Sequence, residues 1–159
     1  MLKEAIEQNR RGYIQIRDPK TTAFHYAYYN YVSRFYPELE MKEPARRASG
    51  QTWIYFCPKK IRSKLKIAHK GGEGYGYVDL QFNGYGNRIN YIEKILKEKG
   101  LLKRGMEIVP TGKSVSLRIK TPTFDPLLKF ENQKGKVKQS LDVALRLYKL
   151  GCKIINELH

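Results

Sequence analysis

Five short segments of the chain have the composition of β-strands, and they come in two runs, three strands and then two. They cover residues 52–56, 65–69, 77–82, 106–109 and 115–120. Alternation of apolar and polar residues is typical of a strand that buries one face. Strands that follow one another with few helical crossovers favour an antiparallel sheet with helices on one face. The sequence therefore predicts the α+β class, with a mostly antiparallel sheet of about five strands.

Four segments have helical patterns, at residues 2–10, 23–36 and 89–99 and from about residue 131 to the end. In the second segment, the aromatic residues at one-face spacing are Phe24, Tyr28, Tyr31 and Phe35. Further tyrosines off this stripe make the helix aromatic on several sides. Some of these rings are exposed unless another surface covers them. That surface is the N-terminal segment, a protein partner, a second copy of the chain or nucleic acid. A homodimer is therefore one expectation, and the last segment predicts a long C-terminal helix.

A chain of 159 residues with 41% apolar content suits a single domain. Within it we expect an N-terminal helical segment at residues 1–44 and a basic α+β domain at residues 45–159. No apolar run approaches the ~20 residues that span a bilayer, and acids near the N-terminus argue against a secretion signal. Cys57 and Cys152 show no metal-ligand spacing and are expected to be free thiols. These observations predict a cytoplasmic protein.

The chain is strongly positive, with 31 Lys and Arg against 15 Asp and Glu and a formal net charge of +16. This charge exceeds what solubility requires, and it indicates an anionic partner. Nucleic acid is the first interpretation, ahead of an anionic membrane surface or an acidic protein.

The positive charge is densest between residues 44 and 72, where eight basic residues and no acid occur. They are Arg46, Arg47, Lys59, Lys60, Arg62, Lys64, Lys66 and Lys70. Because side chains alternate along a strand, Trp53 and Tyr55 lie on one face and the residues that follow each of them lie on the other. One pair lines the core, and the other is a candidate surface for base stacking. Trp53 as a core anchor beside a solvated hairpin is the competing interpretation.

His69 lies near the end of this basic stretch and has two interpretations. It is a candidate base-contacting group, and it is also a candidate hydrogen-bond partner of Asp79 on the neighbouring strand.

The segment Thr111-Gly112-Lys113-Ser114 has some of the letters of a phosphate-binding loop. Nucleotide hydrolases need a glycine where Glu107 stands and a helix after the serine, whereas the residues after Ser114 alternate like a strand. Nucleotide hydrolysis is therefore not expected. Lys113 and Ser114, extended by Arg118, are candidates for contacting a backbone phosphate. An ordinary hairpin turn explains the same residues.

Asp18, Glu40 and Lys42 have the letters of a metal-dependent nuclease site, in which two carboxylates bind Mg²⁺ and a lysine activates water. The context disfavours this site, because a helix and a proline-containing loop separate acids that adjacent strands should carry. The three residues form the weaker, catalytic alternative, and Mg²⁺ is expected only if that alternative holds.

Four longer segments carry a family resemblance: ARRASGQTWIYFCP, KIAHKGGEGYGYVDLQFNG, MEIVPTGKSVSLRIKTP and DPLLKFENQKGKVKQSLDVALRLYKL. They resemble the region that follows the nuclease core in uncharacterised bacterial proteins of the PD-(D/E)XK nuclease superfamily. The segment RDPKTTAFHYAYYNYVSRFYPELEMK resembles the bridge between the two parts. A nuclease core does not fit into the sixteen residues before Arg17. The resemblance therefore implies an accessory domain for DNA or RNA in a mobile-element or defence setting, without catalytic residues of its own.

We therefore expect a nucleic-acid-binding accessory domain that positions DNA or RNA, with DNA favoured, for a nuclease domain or subunit elsewhere. The alternatives are the small metal-dependent nuclease and a protein-interaction module, an adaptor or inhibitor that uses the aromatic helix. No cofactor and no membrane partner are expected. Single-stranded and double-stranded ligands both stay open.

Overall fold

Three α-helices and five β-strands make up the described part of the computed structural model, which comprises residues 19–43, 53–61, 63–69 and 74–158. In chain order they are α1 (Pro19–Phe35), β1 (Trp53–Phe56), β2 (Lys64–Ala68), β3 (Gly76–Asn83), α2 (Ile89–Glu98), β4 (Met106–Thr111), β5 (Ser114–Thr121) and α3 (Lys134–Ile154). Single 3-10 turns cover Pro37–Leu39, Phe130–Gln133 and Ile155–Glu157. The helix predicted at residues 2–10 lies outside the described residues.

The five strands form one sheet in the order β1-β2-β3-β5-β4, and every neighbouring pair is antiparallel. The prediction of an α+β fold with an antiparallel sheet of about five strands is confirmed. β5 lies between β3 and β4, so the longest strand pairing joins segments that are distant in sequence. Among the described strands, β1 and β4 form the two edges. β4 carries Pro110, a residue tolerated at sheet edges because it has no N–H to donate.

The core lies between the sheet and the helices, and α3 supplies its largest helical surface. On β3 the alternating residues Val78, Leu80 and Phe82 are buried, and so are Leu141 and Ala144 of α3. The amphipathic pattern of the C-terminal segment therefore predicted its long helix correctly, because one stripe of that helix covers the apolar face of the sheet.

The buried stripe of α1 differs from the predicted one. Phe24, Tyr28 and Val32 are buried, whereas Phe35 is 54% exposed and is therefore not part of the buried face. The ring of Phe24 packs against Phe124, with 5.7 Å between centroids. Phe35 falls on the same side of a helix with about 3.6 residues per turn, but it is the last residue of α1, and the residues buried after it are Tyr36 and Leu39. Burial in this cluster raises the pKa of the Tyr28 hydroxyl.

The end of α1 is tied to α3 by a hydrogen-bonded carboxylate. The hydroxyl of Tyr36 donates to Oδ1 of Asp142 at 2.5 Å, and Nζ of Lys138 lies 2.9 Å from Oδ2. The hydrogen bond from Tyr36 is the main reason that the pKa of Asp142 is lowered. α1 and α3 therefore share one hydrophobic cluster, while the division at residue 44 stays a prediction because residues 44–52 are not described.

Tyr36→Phe should raise the pKa of Asp142 toward its ordinary value of 3.8, because the hydrogen bond that lowers it is lost. A carboxylate whose pKa is lowered by folding stabilises the protein above that ordinary value, and this stabilisation disappears as the pH falls through the folded pKa. The substitution should therefore lower the free energy of unfolding by about 1 kcal/mol at neutral pH, and by less in acid. Urea titrations at neutral and at acidic pH measure the loss of unfolding free energy under each condition, with Tyr29→Phe as the control. An equal loss at both pH values would contradict the role of the carboxylate.

Candidate nucleic-acid interface

The face of the sheet opposite the helices, called the open face here, carries most polar residues of β2 to β5 and the rings of Trp53 and Tyr55 on β1. The strand register places one row of side chains across all five strands. This row consists of Tyr55, Lys66, Asp79, Arg118 and Glu107. Cations and carboxylates alternate along the row from β2 to β4, so the middle of the open face neutralises much of its own charge.

Asp79 is the buried centre of the open face, with an exposed fraction of 0%. The guanidinium of Arg118 engages it with two bonds: Nε lies 2.7 Å from Oδ1 and Nη2 lies 2.9 Å from Oδ2. Such bidentate charged pairs have the geometry that compensates for the burial of a carboxylate. The hydrogen bond to Asp79 raises the pKa of Arg118 above its ordinary value. This arginine is therefore already occupied by a side chain of its own sheet.

Rings and cations alternate from the centre of the open face to its edge, and we call Trp53, Lys66, Tyr77 and Arg118 the aromatic–cation ladder. Nζ of Lys66 lies 5.3 Å from the ring centroid of Trp53 and 5.3 Å from that of Tyr77. Cζ of Arg118 lies 3.7 Å from the centroid of Tyr77. Cations at these distances are attracted by the electrons of the ring face. The ladder thus links the Asp79–Arg118 pair to the edge of the sheet.

Trp53 and Tyr55 occupy the β1 edge of the open face and keep 41% and 43% of their surface exposed. Ile54 and Phe56 point into the core, so the predicted alternation holds and Trp53 is not a core anchor. Nζ of Lys64 lies 5.8 Å from the ring centroid of Tyr55. Exposed rings can stack on planar π systems, and the ammonium groups beside them can neutralise nearby anions.

Three further predicted residues gather at one end of the sheet. The register pairs Phe56 with Leu65 and Thr111 with Ser114, so the β1–β2 and β4–β5 turns leave the sheet at the same end. Lys59 and Lys60 are exposed on the first turn, and Lys113 is exposed on the second. The backbone N–H of Lys59 donates to the Glu40 carboxylate at 2.8 Å, so one acid also lies beside the first turn.

The β4–β5 turn is a hairpin fixed against the loop after β3. Gly112 has a φ of 66°, a conformation that glycine adopts readily. The N–H of Gly86 donates to the carbonyl of Lys113 at 2.9 Å, and the Ser114 hydroxyl donates to Oδ1 of Asn83 at 3.0 Å. A Cβ at Gly86 would lie 2.5 Å from the carbonyl oxygen of Gly112. The hairpin interpretation thus accounts for these glycines, while the Lys113 side chain stays available to an anion.

His69 is not on the open face, and the expectation of a base contact there is wrong. It follows β2 on the same side as Leu65 and Ile67, and it is 2% exposed. Its ring centroid lies 4.9 Å from that of Phe124 and 6.0 Å from that of His25. The proposed bond to Asp79 is wrong for the same reason, because alternation places the two side chains on opposite faces of the sheet.

Several predicted residues lie outside the described ranges. They are Arg46, Arg47, Arg62 and Lys70 of the basic stretch, and Asp18 of the nuclease alternative. Lys42 is exposed beyond the 3-10 turn that precedes Glu40. Within the described ranges, no group of three or more His, Cys, Asp and Glu side chains is arranged to hold a metal ion. None of the described helices is long and apolar enough to cross a membrane.

Three residues of the open face were missed by the sequence analysis: Tyr75, Tyr77 and Lys120. Nζ of Lys120 lies 4.5 Å from the ring centroid of Tyr75 and 3.6 Å from Oε1 of Glu107. The signal was available, because Tyr77 precedes Asp79 by two residues and Lys120 follows Arg118 by two. The basic stretch was treated as a local feature, whereas strand pairing brings β3 and β5 beside it.

Comparisons with known proteins assign no family, since no family model, curated protein or solved structure matches the chain. The resemblance to an accessory region of PD-(D/E)XK proteins therefore stays a prediction, and the open face is the described feature that bears on function.

Arg118→Met should lower the free energy of unfolding by about 3 kcal/mol, because Asp79 then stays buried without its bidentate partner. Lys120→Met, on the same strand, removes an ion pair with Glu107 whose side chains are 54% and 52% exposed, and it should cost less than about 1 kcal/mol. Denaturant titration of both variants tests the difference. Equal losses would mean that another cation, such as Lys66 across the register, satisfies Asp79.

Proposed function

We propose that this domain binds nucleic acid on the open face of its sheet and at the two turns that carry Lys59, Lys60 and Lys113. The observation that carries the proposal is the β1 edge, where the exposed rings of Trp53 and Tyr55 lie beside two ammonium groups. The centroid distances are 5.3 Å to Lys66 and 5.8 Å to Lys64. Nucleic acid is the ligand that offers both flat bases for the rings and phosphates for the lysines.

The charge distribution supports nucleic acid over an acidic protein. A net charge of +16 favours any polyanion, but an acidic protein surface offers few flat partners for two neighbouring rings. The lysines at the end of the sheet continue the positive surface from β1 toward β5. Neighbouring strands are about 4.8 Å apart, so these turns are within reach of one bound chain.

We further propose that the domain holds DNA, or alternatively RNA, for cleavage by a separate nuclease domain or subunit. Lysine contacts to phosphates position a nucleic acid without reading its sequence, which suits an accessory role. The resemblance to regions that follow nuclease cores supports the same role. On this proposal the domain contributes affinity and placement, and the cleavage chemistry belongs to its partner.

Binding should weaken steeply with salt. If four phosphates are neutralised, log K against log salt should have a slope of about −3.6 for duplex DNA and about −2.8 for a single strand. Lys60→Glu with Lys64→Glu should weaken binding by at least about tenfold for all sequences alike and should flatten this slope. Fluorescence anisotropy with labelled oligonucleotides measures both quantities.

The charge-matched control for this reversal is Lys94→Glu with Lys97→Glu on α2. Because these lysines pair with Glu98 and Glu93, circular dichroism confirms that the variant is folded. These lysines lie on the helical side of the sheet, so the control should bind almost as well as the original chain. Equal weakening by both pairs of substitutions would mean that the net charge of the chain alone drives binding. A salt-independent affinity, or no binding at low salt, would end the proposal.

The chain should not cleave plasmid DNA when it is incubated alone with Mg²⁺, because the proposed role is placement. Gel electrophoresis detects nicking or linearisation with high sensitivity. Cleavage that disappears in Asp18→Ala and Glu40→Ala would establish the metal-dependent nuclease instead. Cleavage that survives both substitutions would indicate a contaminating nuclease, and the assay would be repeated on repurified protein.

A further inference from the structure

We infer that the nucleic acid bound by the open face is single-stranded, and that its bases stack on Trp53 and Tyr55. This inference rests on the proposed function and names the class of ligand. It follows from three properties of the open face: the spacing of the exposed rings, their accessibility, and the position of the carboxylates.

The spacing of the two rings suits bases that are unstacked from each other. Trp53 and Tyr55 are two residues apart on one strand, which separates them by about 6.8 Å. Successive bases of one strand in a duplex are about 3.4 Å apart along the axis. A duplex also presents the edges of its bases in the grooves and keeps their faces covered by neighbouring pairs. Two rings on the same face of β1 therefore match a stretched single strand, whose separated bases expose their faces.

The two edge rings are also the accessible ones. Tyr77 lies further along the aromatic–cation ladder, where Arg118 is 3.7 Å and Lys66 is 5.3 Å from its centroid, and it is only partly exposed. Among the described residues, Trp53 has one ammonium group near its ring; it retains 41% exposure, and Tyr55 retains 43%. Tyr77 thus holds the cations in place, while the rings at the edge have surface left for a base.

The carboxylates confine the ligand to the β1–β2 side of the open face. Residues 53–69 include no acid, whereas Glu107 is exposed on β4 at the opposite edge. A duplex carries one negative charge per about 1.7 Å of its axis, so a duplex that covered the whole sheet would lie against Glu107. A single strand that follows β1 and the β1–β2 turn meets Lys60 and Lys64 away from Glu107. The acid beside this turn, Glu40, accepts a hydrogen bond from the backbone N–H of Lys59.

Trp53 is the only tryptophan of the chain, so its fluorescence reports directly on this surface. The experiment titrates the full chain with oligothymidylate of about 12 nucleotides, a length within the span of one small binding domain, and with the duplex that it forms with oligoadenylate. Emission of Trp53 and anisotropy of the labelled nucleic acid are recorded together at low salt. We expect the single strand to quench the emission and to bind at least about tenfold more tightly than the duplex.

Substitutions at the edge separate stacking from charge. Trp53→Leu and Tyr55→Leu should each weaken single-strand binding by about 5- to 100-fold, the usual effect of losing one stacked base, and should leave weak duplex binding unchanged. Trp53→Phe retains a ring and should restore most of the affinity. Phe35→Ala removes a ring that is 54% exposed on α1 and should change nothing. Circular dichroism confirms that each variant is folded.

The outcomes distinguish this inference from the proposed function. If neither nucleic acid binds at low salt, both fail. If duplex and single strand bind equally well, or if binding leaves the emission of Trp53 and the affinity of Trp53→Leu unchanged, the proposed function stands and the inference is overturned. If Trp53→Leu instead abolishes a homodimer seen by light scattering and nucleic acid has no effect on the emission, the rings form a protein interface and the inference is also overturned.

Discussion

The bidentate pair between Asp79 and Arg118 determines how the open face of this sheet is arranged. A carboxylate at the centre of a sheet, fully removed from solvent, requires a partner with two well-placed donors. Once Arg118 is fixed by Asp79, its guanidinium lies over Tyr77, and Lys66 is held between Tyr77 and Trp53. The arrangement of the exposed edge is therefore set by an interaction in the middle of the sheet, and charge density alone would not have revealed that dependence.

Local patterns predicted most of the fold, and their failures have physical causes. Alternation in residues 77–82 identified β3 because its apolar residues face the core and its polar residues, Asp79 and Gln81, face the other side of the sheet, although both are buried there. The order of the strands was not predictable, since β5 pairs with β3 across α2 and β4, and no local signal records such a pairing. The stripe of α1 was misjudged at Phe35, because the one-face spacing continues to the last residue of the helix, beyond the buried residues Phe24, Tyr28 and Val32.

The face on which a site residue lies was predictable, because alternation within one strand determines it. The neighbours that a residue gains from other strands were not predictable. Alternation placed Trp53 and Tyr55 on the same face of β1 but left open whether that face is exposed or buried, and in the structure it is exposed. His69 was misjudged although the same rule applied, since a strand with Lys66 in solvent turns the residue three positions later inward. Tyr77 and Lys120 join the site only through the register of β3 with β2 and β5. Four basic residues of the predicted surface lie outside the described residues.

The two edges of the sheet differ in their ability to pair with a further strand. On β4, Pro110 cannot donate to a further strand, and Glu107 adds a charge at the same edge. On β1, the four residues Trp53–Phe56 contain neither proline nor charge. Among the described strands, strand addition is therefore favoured at β1 and disfavoured at β4, so two such sheets that joined through β1 would form a closed pair rather than a growing fibre. In that pair the rings of Trp53 and Tyr55 would stay on the face of the joined sheet, beside those of the second copy, so self-association would extend the ring-lined surface rather than bury it.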